Sequence, residues 1–295
     1  MTQRKERMPL EKRQFWVIGG DGRQGKLARL LAEDGHGVHT FGLGREETLF
    51  PAGDLQGIWQ ADCVVLPLPV CREPGRIFAP LSEGEILLSE VLDAMRPGQL
   101  VLGGQMSEEV IREVRARALR WRDYFAREEL TVANAAVTAE GALQVAMEEL
   151  PITLYGSRAL ILGYGRIGRI LAQRLRGLGA FVSAAARRQE QLAWAEVDGC
   201  VTYRLEELGR ILGDFDVVFN TVPSLILTEP LLGELKEGCV VIDLASEPGG
   251  VDFEAAKKLG ISAIWARALP GKVAPETAAR IIRQTIYHFL EEVPE

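Results

Sequence analysis

Twice in this chain an apolar run passes directly into a glycine-rich turn and then a helical pattern: "FWVIGGDGRQG" at residues 15–25 and "ALILGYGRIG" at residues 159–168. Both turns hold the G-x-G-x-x-G spacing, through Gly20, Gly22 and Gly25 in the first and Gly163, Gly165 and Gly168 in the second. A strand that enters a helix through such a turn is the opening of a parallel βαβ unit. The rest of the chain keeps the alternation. "GVHTFGL", "CVVLPLPV" and "GQLVLGG" are separated by helical patterns, and so are "AFVSAAA", "FDVVFN", "GCVVID" and "ISAIWA" later on. These strand-like runs are nearly all apolar, as strands are when helices cover both faces of a sheet. The fold class read from this is α/β, with two doubly wound Rossmann-like domains, a cleft between them and linking helices that cross it.

The pattern divides the chain into an N-terminal Rossmann-like domain (1–137), a connecting helix (138–150), a second Rossmann domain (151–274) and a C-terminal helix (275–295) that packs back on the first domain. Thr138 is read as the cap of the connecting helix, and Pro151 as its stop. Pro275 opens the last helix, a position that suits proline. A length of 295 residues is enough for two medium domains.

Composition narrows the partners. A net charge of −7 argues against nucleic acid or an acidic membrane surface as the main partner. The first fourteen residues hold no apolar core of signal-peptide length and read as a frayed start, and "CVVLPLPV" is too short to span a bilayer. The four cysteines (Cys63, Cys71, Cys200, Cys239) have no C-x-x-C spacing and read as buried thiols of a reducing cytoplasm. The three histidines form no ligand-spaced cluster, so no metal site is expected.

The second glycine turn has the stronger context for a nucleotide. Its first glycine permits the tight turn, its second lets a pyrophosphate approach the backbone, and its third lets the helix pack on the strand. Arg166 and Ile167, at the helix start, offer free N–H groups and the positive end of the dipole. An NAD site usually places Asp or Glu about twenty residues on. Here "SAAARRQEQ" has Arg187 and Arg188 in that place and no acid before Glu190. Two guanidiniums favour a 2′-phosphate, hence NADP over NAD; the plain alternative is a solvated basic turn. Three further strand ends line the same rim. "FNTVPS" offers Asn220, Thr221 and Pro223 to ribose or nicotinamide. "DLASEPGG" offers Ser246 and the pair Gly249-Gly250, which lets backbone approach a ligand. "ALPGK" brings Pro270 and Gly271 to the end of a further strand.

Taken in order, "IGGDGRQ", "NAAVTAEGAL", "LGYGRIG", "AARR", "FNTVPS", "DLASEPGGVDF" and "ALPGKVAPETAARII" resemble the A-subunit family of dipicolinate synthase over nearly the whole chain. That resemblance implies an NADP-dependent dehydrogenase of endospore formation, acting in the cytoplasm of the mother cell. Its substrate would be a dihydro- or hydroxytetrahydro-dipicolinate from the lysine pathway, and its product pyridine-2,6-dicarboxylate. Its partner would be the flavoprotein-like B-subunit of the same synthase. A homo-oligomer is also expected. The family pattern at the first turn needs Asp21, Arg23 and Gln24 but neither Gly22 nor Gly25. Val137 replaces a common proline, and Lys272 stands where an apolar residue is frequent.

The implied chemistry removes hydride from a partly saturated ring while two carboxylates are held and a proton is accepted. Arg23 and Gln24, at the start of the first helix, are read as the carboxylate site, with a structural turn or a second nucleotide site as the alternatives. Asn134, Thr138 and Glu140 are read as substrate contacts or as simple helix-start residues. Asp21 and Glu140 are the candidate proton acceptors. A 2-hydroxyacid dehydrogenase would want a late catalytic histidine, and His288 reads as a packing residue. The competing readings are that reaction and a cofactor-binding regulatory role, inactive without the partner.

Overall fold

The computed structural model describes residues 11–44 and 51–292. The start at 1–10 and the last three residues of the acidic tail lie outside the described residues. The chain forms two compact units. The first takes the chain up to Thr131 and resumes it at Pro275; the second is Val132–Ala274.

The first unit holds β1 (Gln14–Ile18), α1 (Gly22–Glu33), β2 (Gly37–Phe41), β3 (Cys63–Val65), the hairpin β4 (Cys71–Glu73) and β5 (Arg76–Ile77), α2 (Leu88–Asp93), β6 (Leu100–Gly103), α3 (Glu108–Ala116) and β7 (Arg120–Asp123). Its five-stranded parallel sheet runs β2-β1-β3-β6-β7, the flavodoxin-like order. Alternate strand residues feed opposite cores. Phe15, Val17, Cys63 and Val65 join one face, while Trp16, Ile18 and Val64 join the other. The run "CVVLPLPV" is not a strand throughout. β3 stops at Val65, because Pro67 and Pro69 cannot donate to a ladder.

Helix α4 (Glu128–Glu149) is one continuous helix. It starts at Glu128 rather than at Thr138, so Thr138 is not an N-cap. Its hydroxyl donates instead to the carbonyl of Asn134 at 2.9 Å, one turn back inside the helix. The second unit continues with β8 (Arg158–Leu162), α5 (Arg166–Gly177), β9 (Phe181–Ala186), α6 (Gln189–Val197), β10 (Val201–Arg204), α7 (Leu208–Ile211), β11 (Val217–Asn220), α8 (Glu229–Leu232), β12 (Val240–Asp243), α9 (Phe253–Lys258), β13 (Ser262–Trp265) and α10 (Leu269–Val273). Its six parallel strands run β10-β9-β8-β11-β12-β13, the order of a dinucleotide-binding sheet. Pro270 and Gly271 lie within α10 rather than in a strand-end turn, and this short helix packs on α4 at Gly141. A side chain at Gly141 would press on Leu269 and Val273.

The last helix, α11 (Pro275–Glu292), packs on α1 and belongs to the first unit. Ile282, Ile286 and Leu290 pack with Leu27 and Leu31. A polar cluster fastens the same contact. The backbone N–H of Arg13 donates to Nδ1 of His36 at 3.3 Å, and Nε2 of His36 lies 3.1 Å from the Tyr287 hydroxyl. That hydroxyl donates to Asp34 at 2.6 Å, so the imidazole is neutral with its hydrogen on Nε2. Burial holds the His36 pKa below its ordinary 6.5, against the opposing pull of Asp34 and with help from Arg13. The unfolded chain therefore takes up a proton at His36 before the folded one does. The His36 contribution is complete above about pH 6.5 and is lost as pH falls through the folded value. Between pH 7.5 and 5.5 the wild-type melting temperature should fall more than that of His36→Gln; parallel profiles would show that His36 does not set this dependence.

Candidate functional site

The two glycine turns look alike in sequence and differ in what occupies the start of the following helix. At the first turn Asp21 is the N-cap of α1, and its side chain accepts the backbone N–H of Arg23 at 3.1 Å. The same carboxylate holds the guanidinium of Arg23 at two points, 2.8 Å each. Arg23 also donates to the carbonyl of Leu68 at 2.8 Å and is 5% exposed. Gln24 is buried and donates to the carbonyl of Leu66 at 3.2 Å, which the Tyr124 hydroxyl also approaches at 2.9 Å. The protein's own carboxylate thus sits where a phosphate would sit, and the amide of Gln24 serves the framework. Both oxygens of Asp21, a candidate proton acceptor, are engaged by Arg23. Gln24, expected to touch substrate, is buried with its amide on the Leu66 carbonyl. Arg23 is an arginine whose charge is offset by its neighbour.

At the second turn the N-cap of α5 is Gly165, and no side chain caps the helix. The three glycines separate cleanly by cause. Gly163 has φ +84°, and a Cβ there would lie 2.6 Å from the Thr221 hydroxyl. A Cβ at Gly168 would overlap the carbonyl oxygen of Gly163, so that glycine sets how closely helix packs on strand. Gly165 differs from both. Its φ of −90° suits any residue, and a Cβ there would meet nothing within 4 Å. No described atom of the protein requires glycine at this position. A ligand lying against the helix start would, and the open N-terminus supplies N–H donors and positive potential for a pyrophosphate.

The neighbouring strand ends are built around a residue the sequence reading passed over. Asp243 ends β12, is fully buried, and accepts from Asn220 Nδ2 at 2.8 Å, the Ala245 N–H at 3.0 Å and the Gly250 N–H at 2.8 Å. Asn220 also bonds Val222 through both ends of its amide, at 3.0 and 3.1 Å. Its donors and acceptor are therefore spent inside the protein, and it shapes the turn rather than bonding ribose or nicotinamide. Thr221 likewise directs its hydroxyl to the Leu162 carbonyl at 2.9 Å, beneath the glycine turn. Gly249 and Gly250 are glycine for internal reasons. A Cβ on Gly249 would press on Asp243 and Trp265, and one on Gly250 would overlap the Asn220 amide. Pro223 and Ser246 remain exposed on these two loops. The one legible sign of Asp243 was an acid closing an otherwise apolar strand, "VVID".

Arg187 and Arg188 follow β9 directly, are exposed, and neither guanidinium has a partner among the described residues. Ile167 packs at the edge of the core under α5. On α4, Asn134 is half-buried and Glu140 is exposed and ion-paired with Arg174 at 3.0 Å, so Glu140 lies mid-helix rather than in a first turn. Lys272 is exposed on α10. His288 lies on α11 at 3.6 Å from Glu129, within the helix packing. Among the described residues no group of acids, histidines and cysteines could hold a metal ion, and no helix is long and apolar enough to cross a membrane.

Residues 14–125 match the family described as the N-terminal domain of the dipicolinate synthase A-subunit. Residues 126–247 match the D-isomer specific 2-hydroxyacid dehydrogenase NAD binding domain. The chain is 32% identical over 283 residues to the dipicolinate synthase A-subunit of Bacillus subtilis (strain 168), covering 94% of this chain and 95% of that protein. The crystal structure of the dipicolinate synthase A-subunit from Bacillus halodurans superposes with a TM-score of 0.87 at 29% identity, over 95% of this chain and 98% of the other. The transhydrogenase from Sinorhizobium meliloti shares the fold, with a TM-score of 0.70 at 18% identity over 94% and 93% of the two chains.

Proposed function

This chain belongs to the A-subunit family of dipicolinate synthase, and on that premise we propose that it oxidises a dihydro- or hydroxytetrahydro-dipicolinate of the lysine pathway to dipicolinate, with NADP as hydride acceptor. The chain carries a nicotinamide-dinucleotide-binding domain of the dehydrogenase type and is an oxidoreductase. The observation that carries the nucleotide assignment is Gly165, a glycine that no described protein atom requires, at a helix start no side chain caps.

The dinucleotide, when bound, supplies the acceptor carbon for hydride. The residues of this chain do the rest. The turn Gly163–Gly168 and the first N–H groups of α5 hold the pyrophosphate. Arg187 and Arg188 select a 2′-phosphate. Asp243 and Asn220 fix the two loops that carry Pro223 and Ser246. Asp21 already holds the buried Arg23 guanidinium at the first turn, so a substrate carboxylate would reach Arg23 only by displacing Asp21. Asp21 is withdrawn as proton acceptor because Arg23 occupies both its oxygens. Glu140, exposed and bound only in a surface ion pair, takes that role in our reading. Loss of hydride and one proton from the dihydro ring leaves the aromatic pyridine, which makes the reaction downhill; from the hydroxytetrahydro ring a water molecule leaves as well.

The family name supports partnership with the B-subunit of the synthase, and we place the activity in the cytoplasm of the mother cell, in a homo-oligomer. The test is formation of NADPH together with pyridine-dicarboxylate absorbance from the lysine-pathway precursor, with and without the B-subunit. Turnover with NADP well above that with NAD is expected. No turnover with either cofactor when both proteins are present would sink the proposal. Turnover by this chain on its own would dispose of the regulatory alternative.

A further inference from the structure

The end of β10 brings a third arginine to the pair after β9. In the strand register Arg204 lies opposite Ala186, the last residue of β9 and the one before Arg187. Neighbouring parallel strands lie about 4.8 Å apart. The guanidinium of Arg204 leans the same way, donating to Oε1 of Gln189 at 3.3 Å, in the residue directly after Arg188. Two acids follow it closely, Glu206 and Glu207, and neither forms an ion pair with it among the described residues. Glu207 turns its carboxylate to the backbone N–H of Arg204 at 2.6 Å, not to the guanidinium. Among the described residues none of Arg187, Arg188 and Arg204 forms an ion pair, although the chain as a whole carries a net charge of −7.

Three like charges at two adjacent strand ends repel one another, and among the described residues none of them is held in an ion pair. A dianion would turn that repulsion into attraction. A phosphate monoester has the charge and the three acceptor oxygens to take several guanidinium contacts at once. We propose that Arg204 is a specificity-determining residue for the adenosine 2′-phosphate, completing the site begun by Arg187 and Arg188. This rests on the NADP reading above and deepens it. Arg204 acts on selection between two cofactors and not on hydride transfer, so it is read out by binding.

The experiment measures dissociation constants of the full chain for NADP, NAD, 2′-AMP, 5′-AMP and inorganic phosphate by titration calorimetry. The proteins are wild type, Arg204→Ala, Arg204→Lys and the double variant Arg187→Ala/Arg188→Ala. Arg204→Ala should weaken NADP and 2′-AMP about tenfold and leave NAD and 5′-AMP within about twofold. Arg204→Lys should recover part of the loss, since lysine keeps the charge but not the two-pronged donor geometry. Arg204 is exposed, so a fold defect would appear as an equal loss for NAD, and that result would overturn the proposal. A double variant that loses NADP preference beside an Arg204→Ala that keeps it would reject Arg204 and spare the NADP reading. No change of preference in any variant would reject the NADP reading itself. Inorganic phosphate competing as well as 2′-AMP would reduce the site to a general anion trap and overturn the inference.

Discussion

Gly165→Asp should abolish dinucleotide binding while leaving the protein folded and slightly more stable. The substitution gives the second glycine turn the N-cap that the first already has in Asp21. A Cβ at residue 165 meets nothing within 4 Å, and its φ of −90° is open to any residue, so the backbone accepts the change. An Asp cap in place of Gly adds a few tenths of a kcal/mol to the helix. The same carboxylate would occupy the ground where a pyrophosphate lies and repel it. Like charges brought together cost several kcal/mol, and about 3 kcal/mol corresponds to roughly a hundredfold in affinity. Calorimetric titration with NADP, alongside a thermal melt, separates the two effects. Affinity within about threefold of wild type would mean that α5 does not receive the phosphates, and the nucleotide assignment would fall. The contrasting variant Gly168→Ala should instead lose stability, because its Cβ would overlap the Gly163 carbonyl.

That pair of variants marks how far the sequence carried the reading. The alternation of apolar runs and helical patterns was enough for two parallel sheets, and the spacing of the three glycines was enough to locate both turns. What separated the turns was the residue at the N-cap, Asp21 in the first and Gly165 in the second, one place apart in the glycine spacing. The sequence shows both letters but not that the first fills an anion site from within. The connecting helix was cut short because Asn134 and Thr138 are residues that favour caps. Inside α4 the Thr138 hydroxyl is satisfied by the carbonyl one turn back, an option invisible to composition. Gly249 and Gly250 were read as room for a ligand. They are room for Asp243, Trp265 and Asn220, which stand side by side at the ends of three paired strands. Asn220 ends a strand on the rim, the place of a ligand contact, and only its partners reveal that its amide is engaged inside the protein. Arg204 was silent for a similar reason, since its place beside Ala186 is set by strand pairing and not by spacing.

Asp243→Ala should be the most damaging single change among the rim residues. The carboxylate is fully buried and is the shared acceptor for three N–H donors, from Asn220, Ala245 and Gly250. Removing it strands donors that cost about 1–3 kcal/mol each when buried without a partner. Water entering the vacated volume recovers part of that, which leaves a loss of roughly 3–6 kcal/mol and a melting temperature lower by roughly 10 °C or more. Asp243→Asn keeps the volume and one acceptor oxygen, but it points an amide N–H₂ at a donor. Its loss should be about half as large. The two loops held by this group, 220–224 and 243–251, carry the exposed residues of the rim, so cofactor affinity should fall in the same order as stability. Melts and NADP titrations on both variants make the comparison. If Asp243→Ala lowers stability by less than about 1 kcal/mol, the buried carboxylate does not organise the rim. If stability falls while NADP affinity stays at the wild-type value, the loops are held together for the fold alone and the cofactor rests on the glycine turn without them.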